Sequence, residues 1–136
     1  MTTHKIDQIE GIGPAYAEKL IALGIKTTEE LLEAGKSRSG RAKLAEDTGI
    51  SDKLILKWVN HADLFRINGV AGQFAELLEA AGVDTVKELR HRVAANLQPK
   101  LEEVNSAKNL CNRVPALSEV ERMIEQAKNL EPVVTY

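Results

Sequence analysis

The sequence predicts an all-α fold: two tandem, similar helical units packed into one compact, pseudo-symmetric domain. Three observations predict it. Aliphatic residues recur at helical spacing along most of the 136 residues, while aromatics make up only 4% of them, so the core is built from Leu, Ile, Val and Ala. Cap residues and glycines punctuate that pattern at intervals of one short helix. The whole arrangement then returns 58 residues later. On this reading the first unit spans 1–60, the second 61–131, and 132–136 form an extended tail.

In chain order, Thr3 is expected to cap a short helix running through Ile9, and Gly11-Ile12-Gly13 is a tight turn. Pro14 suits the first position of a second helix, because its missing N–H would have no partner there anyway. Ala17, Leu20 and Ile21 give that helix an apolar face. Near Leu23 it ends, with Gly24 as a left-handed cap and Ile25 folding back on the last turn. Thr27 and Glu30 form a capping box for a third helix ending near Gly35. Lys36 to Lys43 then carries four basic residues and no acidic one. A helix from Leu44 ends at Gly49, and Ser51 caps the next, whose buried face is Ile55, Trp58, Val59 and Ala62.

Asn60 or His61 is expected to start the short helix of the second unit. There Ile67, Gly69, Val70, Phe74, Ala75 and Leu78 repeat Ile9, Gly11, Ile12, Tyr16, Ala17 and Leu20. Gly82, Val83, Thr85, Glu88 and Leu89 repeat Gly24, Ile25, Thr27, Glu30 and Leu31. Eleven matches at one offset, covering turn, caps and core face together, indicate a duplicated unit. The second unit closes with Leu101 to Val104 and a capping box at Ser118-Glu119-Val120-Glu121, with Val120, Ile124 and Ala127 as the apolar stripe. Its connection is about seven residues longer than in the first unit and contains Pro115, which calls for an extra turn or helix. Pro132 to Tyr136 is too short and β-branched for a helix and is expected to lie extended against the body.

The stretch from Ile9 to Leu20 resembles the helix-hairpin-helix motif. With Ile25 to Leu31 added, each half also resembles the small helical domain at the C-terminus of the bacterial RNA polymerase alpha subunit. The whole chain resembles a tandem helix-hairpin-helix family of bacterial proteins catalogued as a domain of unknown function. The resemblance implies two helix-hairpin-helix units whose turns hold a nucleic-acid phosphate without reading sequence. The physics is available, since N–H groups at a helix start converge on an anion with help from the macrodipole. In the first hairpin Gly11, Ile12 and Gly13 would form that cradle, with Lys19 or Lys26 adding charge. In the second, Gly69 and Gly72 would do so, although Ala71 replaces the second glycine and Gly72 the proline. Pro14, Ala15 and Tyr16 also stand where DNA-binding members usually carry Lys or Arg. An alanine at 71 raises a question of geometry, because a positive φ there would cost roughly 1–2 kcal/mol. The basic segments supply Lys36, Arg38, Arg41 and Lys43 in one unit and Arg90 and Arg92 in the other.

Charge limits the function. A net charge of −2 argues against a dedicated high-affinity nucleic-acid binder. Leu44 to Asn60 has helix-turn-helix spacing but lacks Asn, Gln or Arg to read bases at its helix start. His4, His61 and His91 are scattered, without metal-ligand spacing to Cys111, and no glycine-rich nucleotide loop is present. The reading is therefore a cytoplasmic, non-enzymatic binding module with no metal or cofactor. Its expected partner is DNA or RNA backbone at low affinity. A protein-protein adaptor, monomeric or homodimeric, is the alternative, and there is no membrane span.

Overall fold

A computed structural model describes residues 4–136; the cap expected at Thr3 lies outside the described residues. Eight α-helices follow a 3-10 turn at Ile6–Gln8: α1 (Pro14–Ile21), α2 (Thr28–Gly35), α3 (Arg38–Thr48), α4 (Asp52–Leu64), α5 (Gly72–Ala80), α6 (Val86–Leu89), α7 (Ala94–Lys108) and α8 (Leu117–Lys128). The fold is all-α. Among the described residues the only strand-like pairing is one antiparallel bridge, Lys5 to Thr27. No helix there is long and apolar enough to cross a membrane.

One apolar core runs through the molecule, and α4 is its spine. It packs on α2, α3 and α5, and every residue from Trp58 to Phe65 is buried. A helix wrapped on all sides has no solvent face to carry polar residues, so Asn60, His61 and Asp63 must find partners inside. His61 Nε2 meets Glu79 Oε2 at 2.9 Å. Asp63 accepts from Arg66 at 2.7 Å and from the Val86 N–H at 2.8 Å. Asn60 Oδ1 accepts from the Tyr136 hydroxyl at 3.1 Å.

This continuous helix corrects one expectation. No new helix starts at Asn60 or His61, because Trp58 through Leu64 stay in α4. The unit corresponding to the first 3-10 turn is the end of α4 itself.

Local signals reappear in the backbone where the sequence put them. Ile25 N–H bonds to Leu20 O and Gly24 N–H to Ile21 O; Val83 to Leu78 and Gly82 to Glu79 repeat both bonds. These are the two bonds of a Schellman cap. The Thr27–Glu30 capping box is reciprocal, with the Glu30 N–H on the Thr27 hydroxyl and the Thr27 N–H on the Glu30 carboxylate. Thr85 caps α6 in the same way through the Glu88 N–H, but the Glu88 carboxylate turns to Arg92 instead.

Two details of the second half differ from expectation. α8 starts at Leu117, so Ser118 lies inside it; Glu119 reaches back to the Ala116 N–H at 3.0 Å, and alanine has no oxygen to return the bond. The longer connection, residues 109–116, holds bends and no helix. Its path is fixed by Asn105, whose amide group bonds both the N–H and the carbonyl of Cys111. From Glu131 onward the chain is neither helix nor strand, and it reaches back to the first half. Thr135 N–H donates to Lys36 O at 2.8 Å.

Candidate nucleic-acid interface

The first turn presents an open helix N-terminus. Ile9 and Ile12 are buried, whereas Gly11, Gly13, Pro14 and Ala15 are exposed. Gly11 has φ +95°, a left-handed conformation that glycine takes without strain. Gly13 caps α1 with an extended backbone (φ −81°), and its side-chain direction is empty within 4 Å. Ala17 N–H closes on Gly13 O, while the N–H groups of Gly13, Ala15 and Tyr16 have no partner among the described residues. Beneath the turn lies Trp58, with its ring 5.1 Å from Tyr16. A methyl group on Gly11 would sit 3.5 Å from the Trp58 Nε1, a buried donor that has no partner among the described residues.

The second turn has the same skeleton in different surroundings. Gly69 has φ +90°, and Ala71 caps α5 with φ −130°. The positive φ therefore belongs to the first glycine of each turn. Position 71 needs none, so the alanine there causes no strain, contrary to the concern raised by the sequence. Gly72 is a glycine for another reason. It is buried, and a methyl group on it would lie 2.5 Å from the Gln8 carbonyl and 3.2 Å from Glu10 Oε1. Asp7, Gln8 and Glu10 wall the mouth of this turn. The Glu10 carboxylate of the first half stands beside this helix start, where its charge opposes an incoming phosphate.

The basic segments divide in the same manner. Arg41 is 6% exposed; its guanidinium donates to Gly35 O at 3.0 Å and Thr135 O at 2.7 Å. Arg90 donates to Lys128 O, and Arg92 to Gly82 O and Glu88. These three arginines pin chain segments through carbonyls; Arg41 is buried, while Arg90 and Arg92 stay half-exposed. Lys36 pairs with Glu33 and Lys43 with Asp47 on the surface. Lys19, Lys26 and Arg38 are exposed and make no ion pair among the described residues. Of the predicted set, the first turn is exposed, and Lys19, Lys26 and Arg38 are exposed without an ion pair among the described residues, while Glu10 stands beside the second turn.

Several carboxylates are perturbed by these arrangements. Burial would push Glu79 up, but the hydrogen bond and charge of His61, with Lys57 nearby, hold it below the usual range. Burial, together with Glu79 and Glu88, raises Asp84. The two-pronged bond from Arg113 takes Glu119 down to about 2. Burial raises the Cys111 thiol, whose Sγ donates to Gln73 O, so it is not a poised nucleophile. No group of three or more His, Cys, Asp or Glu could hold a metal among the described residues.

The sequence reading missed the Asn60–Asp63 set. A charged residue inside the apolar run Ala62-Asp63-Leu64-Phe65 was the available signal, since buried charges are rare unless paired.

A family model described as a domain of unknown function, DUF4332, matches residues 10–130. No curated protein and no solved structure matches the chain.

Proposed function

We propose, on the premise that the chain belongs to the DUF4332 family, that it is a non-enzymatic binding module. It holds a nucleic-acid backbone weakly and without reading sequence. On this reading the chain is a duplicated helix-hairpin-helix protein in which only the first hairpin keeps its ligand face. The observation that carries the reading is the set of N–H groups at Gly13, Ala15 and Tyr16 that have no partner among the described residues, in a turn whose Gly11, Gly13, Pro14 and Ala15 are exposed. A helix N-terminus with its donors free and its dipole uncompensated favours an anion. Lys19, exposed in the last turn of α1, adds positive charge to the same helix. Support for the duplication comes from the matched caps and from both turns carrying the left-handed glycine at the same place.

Fluorescence anisotropy at low salt, with duplex and single-stranded DNA, tests the reading. Non-specific complexes lie near 10⁻⁴–10⁻⁶ M and tighten as salt falls, so no binding at ~100 μM protein overturns it. Gly13→Asp supplies the control. The site accepts a side chain, and the new carboxylate would take the free N–H groups and repel phosphate.

A second reading, a protein adaptor, is favoured by one apolar groove. Ile6, Ala17 and Ile21 line it between Lys5 and Lys26, and Ile21 and Leu23 remain 45% and 44% exposed nearby. Partners retained in a pull-down after nuclease treatment would favour this reading.

A further inference from the structure

We propose that the groove between α3, α4 and the C-terminal segment is a stacking site for an unpaired base of single-stranded nucleic acid. Tyr136 would be the platform, with Arg38 and Lys53 on the flanking phosphates. The inference deepens the backbone-binding reading and rests on it, but it concerns a different place on the molecule.

The groove is lined by Arg38, Arg41, Ala42, Asp52, Lys53, Leu56 and Tyr136. Tyr136 is 68% exposed yet held from several directions. Its hydroxyl donates to the buried Asn60 at 3.1 Å. The preceding residue is tied on both sides: Thr135 N–H donates to Lys36 O, and Thr135 O accepts from Arg41. The Arg41 guanidinium lies 5.6 Å from the ring centroid. Ordering an aromatic side chain costs conformational entropy that burial normally offsets; here Tyr136 is held by these contacts while the residue stays largely exposed. An ordered, exposed aromatic residue is what a sequence-tolerant stacking contact requires, because every base has a π-face.

The charge around it is also unspent. Arg41 is satisfied by two neutral carbonyls and no carboxylate, so its positive charge is not cancelled. Neither Arg38 nor Lys53 makes an ion pair or side-chain hydrogen bond among the described residues, and both are exposed. Asp52 is the one carboxylate in the lining. Arg38, Arg41 and Lys53 outnumber the single acidic side chain around the aromatic ring, which suits a phosphate–base–phosphate stretch of a single strand. A duplex keeps its bases stacked inside and cannot use the ring.

The test compares three labelled probes with the full chain at low salt: an oligothymidylate of about ten nucleotides, an abasic strand of equal length and a duplex. The unmodified chain should bind the oligothymidylate about tenfold more tightly than the abasic strand. Tyr136→Leu should bring that ratio to about one, Tyr136→Phe should keep it, and Lys53→Gln should weaken both strands alike. A measurement that needs no variant is the NMR shift of the Tyr136 ring protons, which should move upfield with oligothymidylate and not with the abasic strand. A ratio near one in the unmodified chain, a ratio that survives Tyr136→Leu, or ring protons that do not move overturns the groove. Gly13→Asp separates the two ideas. If it abolishes abasic and duplex binding while the ratio was one, the groove fails and the turn stands. If abasic binding persists in Gly13→Asp while the base-dependent gain follows Tyr136, the turn fails and the groove stands. No binding of any probe overturns both.

Discussion

The turns before α1 and α5 share a backbone and differ in what faces them. Each has a left-handed glycine, at Gly11 and Gly69, and an extended cap, at Gly13 and Ala71. The first opens to solvent. The second is a groove walled on one side by Gln8 and Glu10 of the first half. Similar local geometry therefore meets different surroundings: one helix N-terminus has no acidic residue in its first turn, and the other has the Glu10 carboxylate next to it. The lesson is that a turn motif specifies the shape of a donor set, while tertiary packing decides whether a ligand can reach it.

The largest test of this contrast lies just upstream of each turn. In the first half the Thr28 N–H at the start of α2 bonds to the His4 carbonyl; in the second the equivalent Val86 N–H bonds to the buried Asp63 carboxylate. Asp63 also holds Arg66, whose second amine reaches Glu131 O. Asp63→Ala leaves a buried donor and a partly buried guanidinium unmatched, and should cost about 3–5 kcal/mol. The matching Lys5→Ala, on an exposed side chain, should stay within about 0.5 kcal/mol. Urea denaturation of the two variants measures both; equal losses would show that the halves are closed in the same way.

That asymmetry also marks what was legible in the sequence. Caps were readable because their bonds span three to five residues: Thr27 with Glu30, Gly24 with Ile25 and Leu20. The continuity of α4 was not, because Asn60, His61 and Asp63 meet Tyr136, Glu79 and Val86, and no local pattern foretells partners that far away. The roles of the glycines split likewise. Gly11 and Gly69 could be assigned to the turn, but Gly72 answers to the Gln8 carbonyl of another element. The candidate site suffered most. Arg41, Arg90 and Arg92 looked like unattached basic side chains, and carbonyls elsewhere in the fold hold the donors of each.

Glycine substitutions at the two turns come next in size. Gly72→Ala forces a methyl to within 2.5 Å of backbone, which must shift, at a cost of about 1–3 kcal/mol. Gly13→Ala meets nothing within 4 Å and should be neutral within about 0.5 kcal/mol. Gly13→Asp should go further and stabilise by about 0.5–1 kcal/mol, by capping free N–H groups and restricting the unfolded chain. If Gly13→Asp raises the melting temperature and weakens DNA binding together, ligand loss cannot be blamed on unfolding. A destabilised Gly13→Asp would mean that the first turn, like the second, has a carboxylate beside it.

The smallest test concerns the residue before each threonine cap, Lys26 in the first half and Asp84 in the second. Burial and the nearby Glu79 and Glu88 raise Asp84 above its ordinary value. A carboxyl whose folded-state pKa exceeds its unfolded value binds its proton more tightly when folded. Its ionised form is therefore a destabilising contribution, present in full above the raised pKa and absent below the unfolded value near 4. Asp84→Asn removes that contribution at neutral pH and changes little once Asp84 is protonated. Because the residue is largely exposed, screening should hold the gain to about 0.5 kcal/mol or less. Urea melts of both proteins at pH 7.5 and 3.5 give the difference, which should be positive at the higher pH and close to zero at the lower. A gain of equal size at both pH values would assign the effect to helix capping and remove the carboxylate repulsion from the account of the second half. A loss at pH 7.5 would mean that Asp84 has a favourable partner when charged, and the second half would then be electrostatically as relaxed as the first.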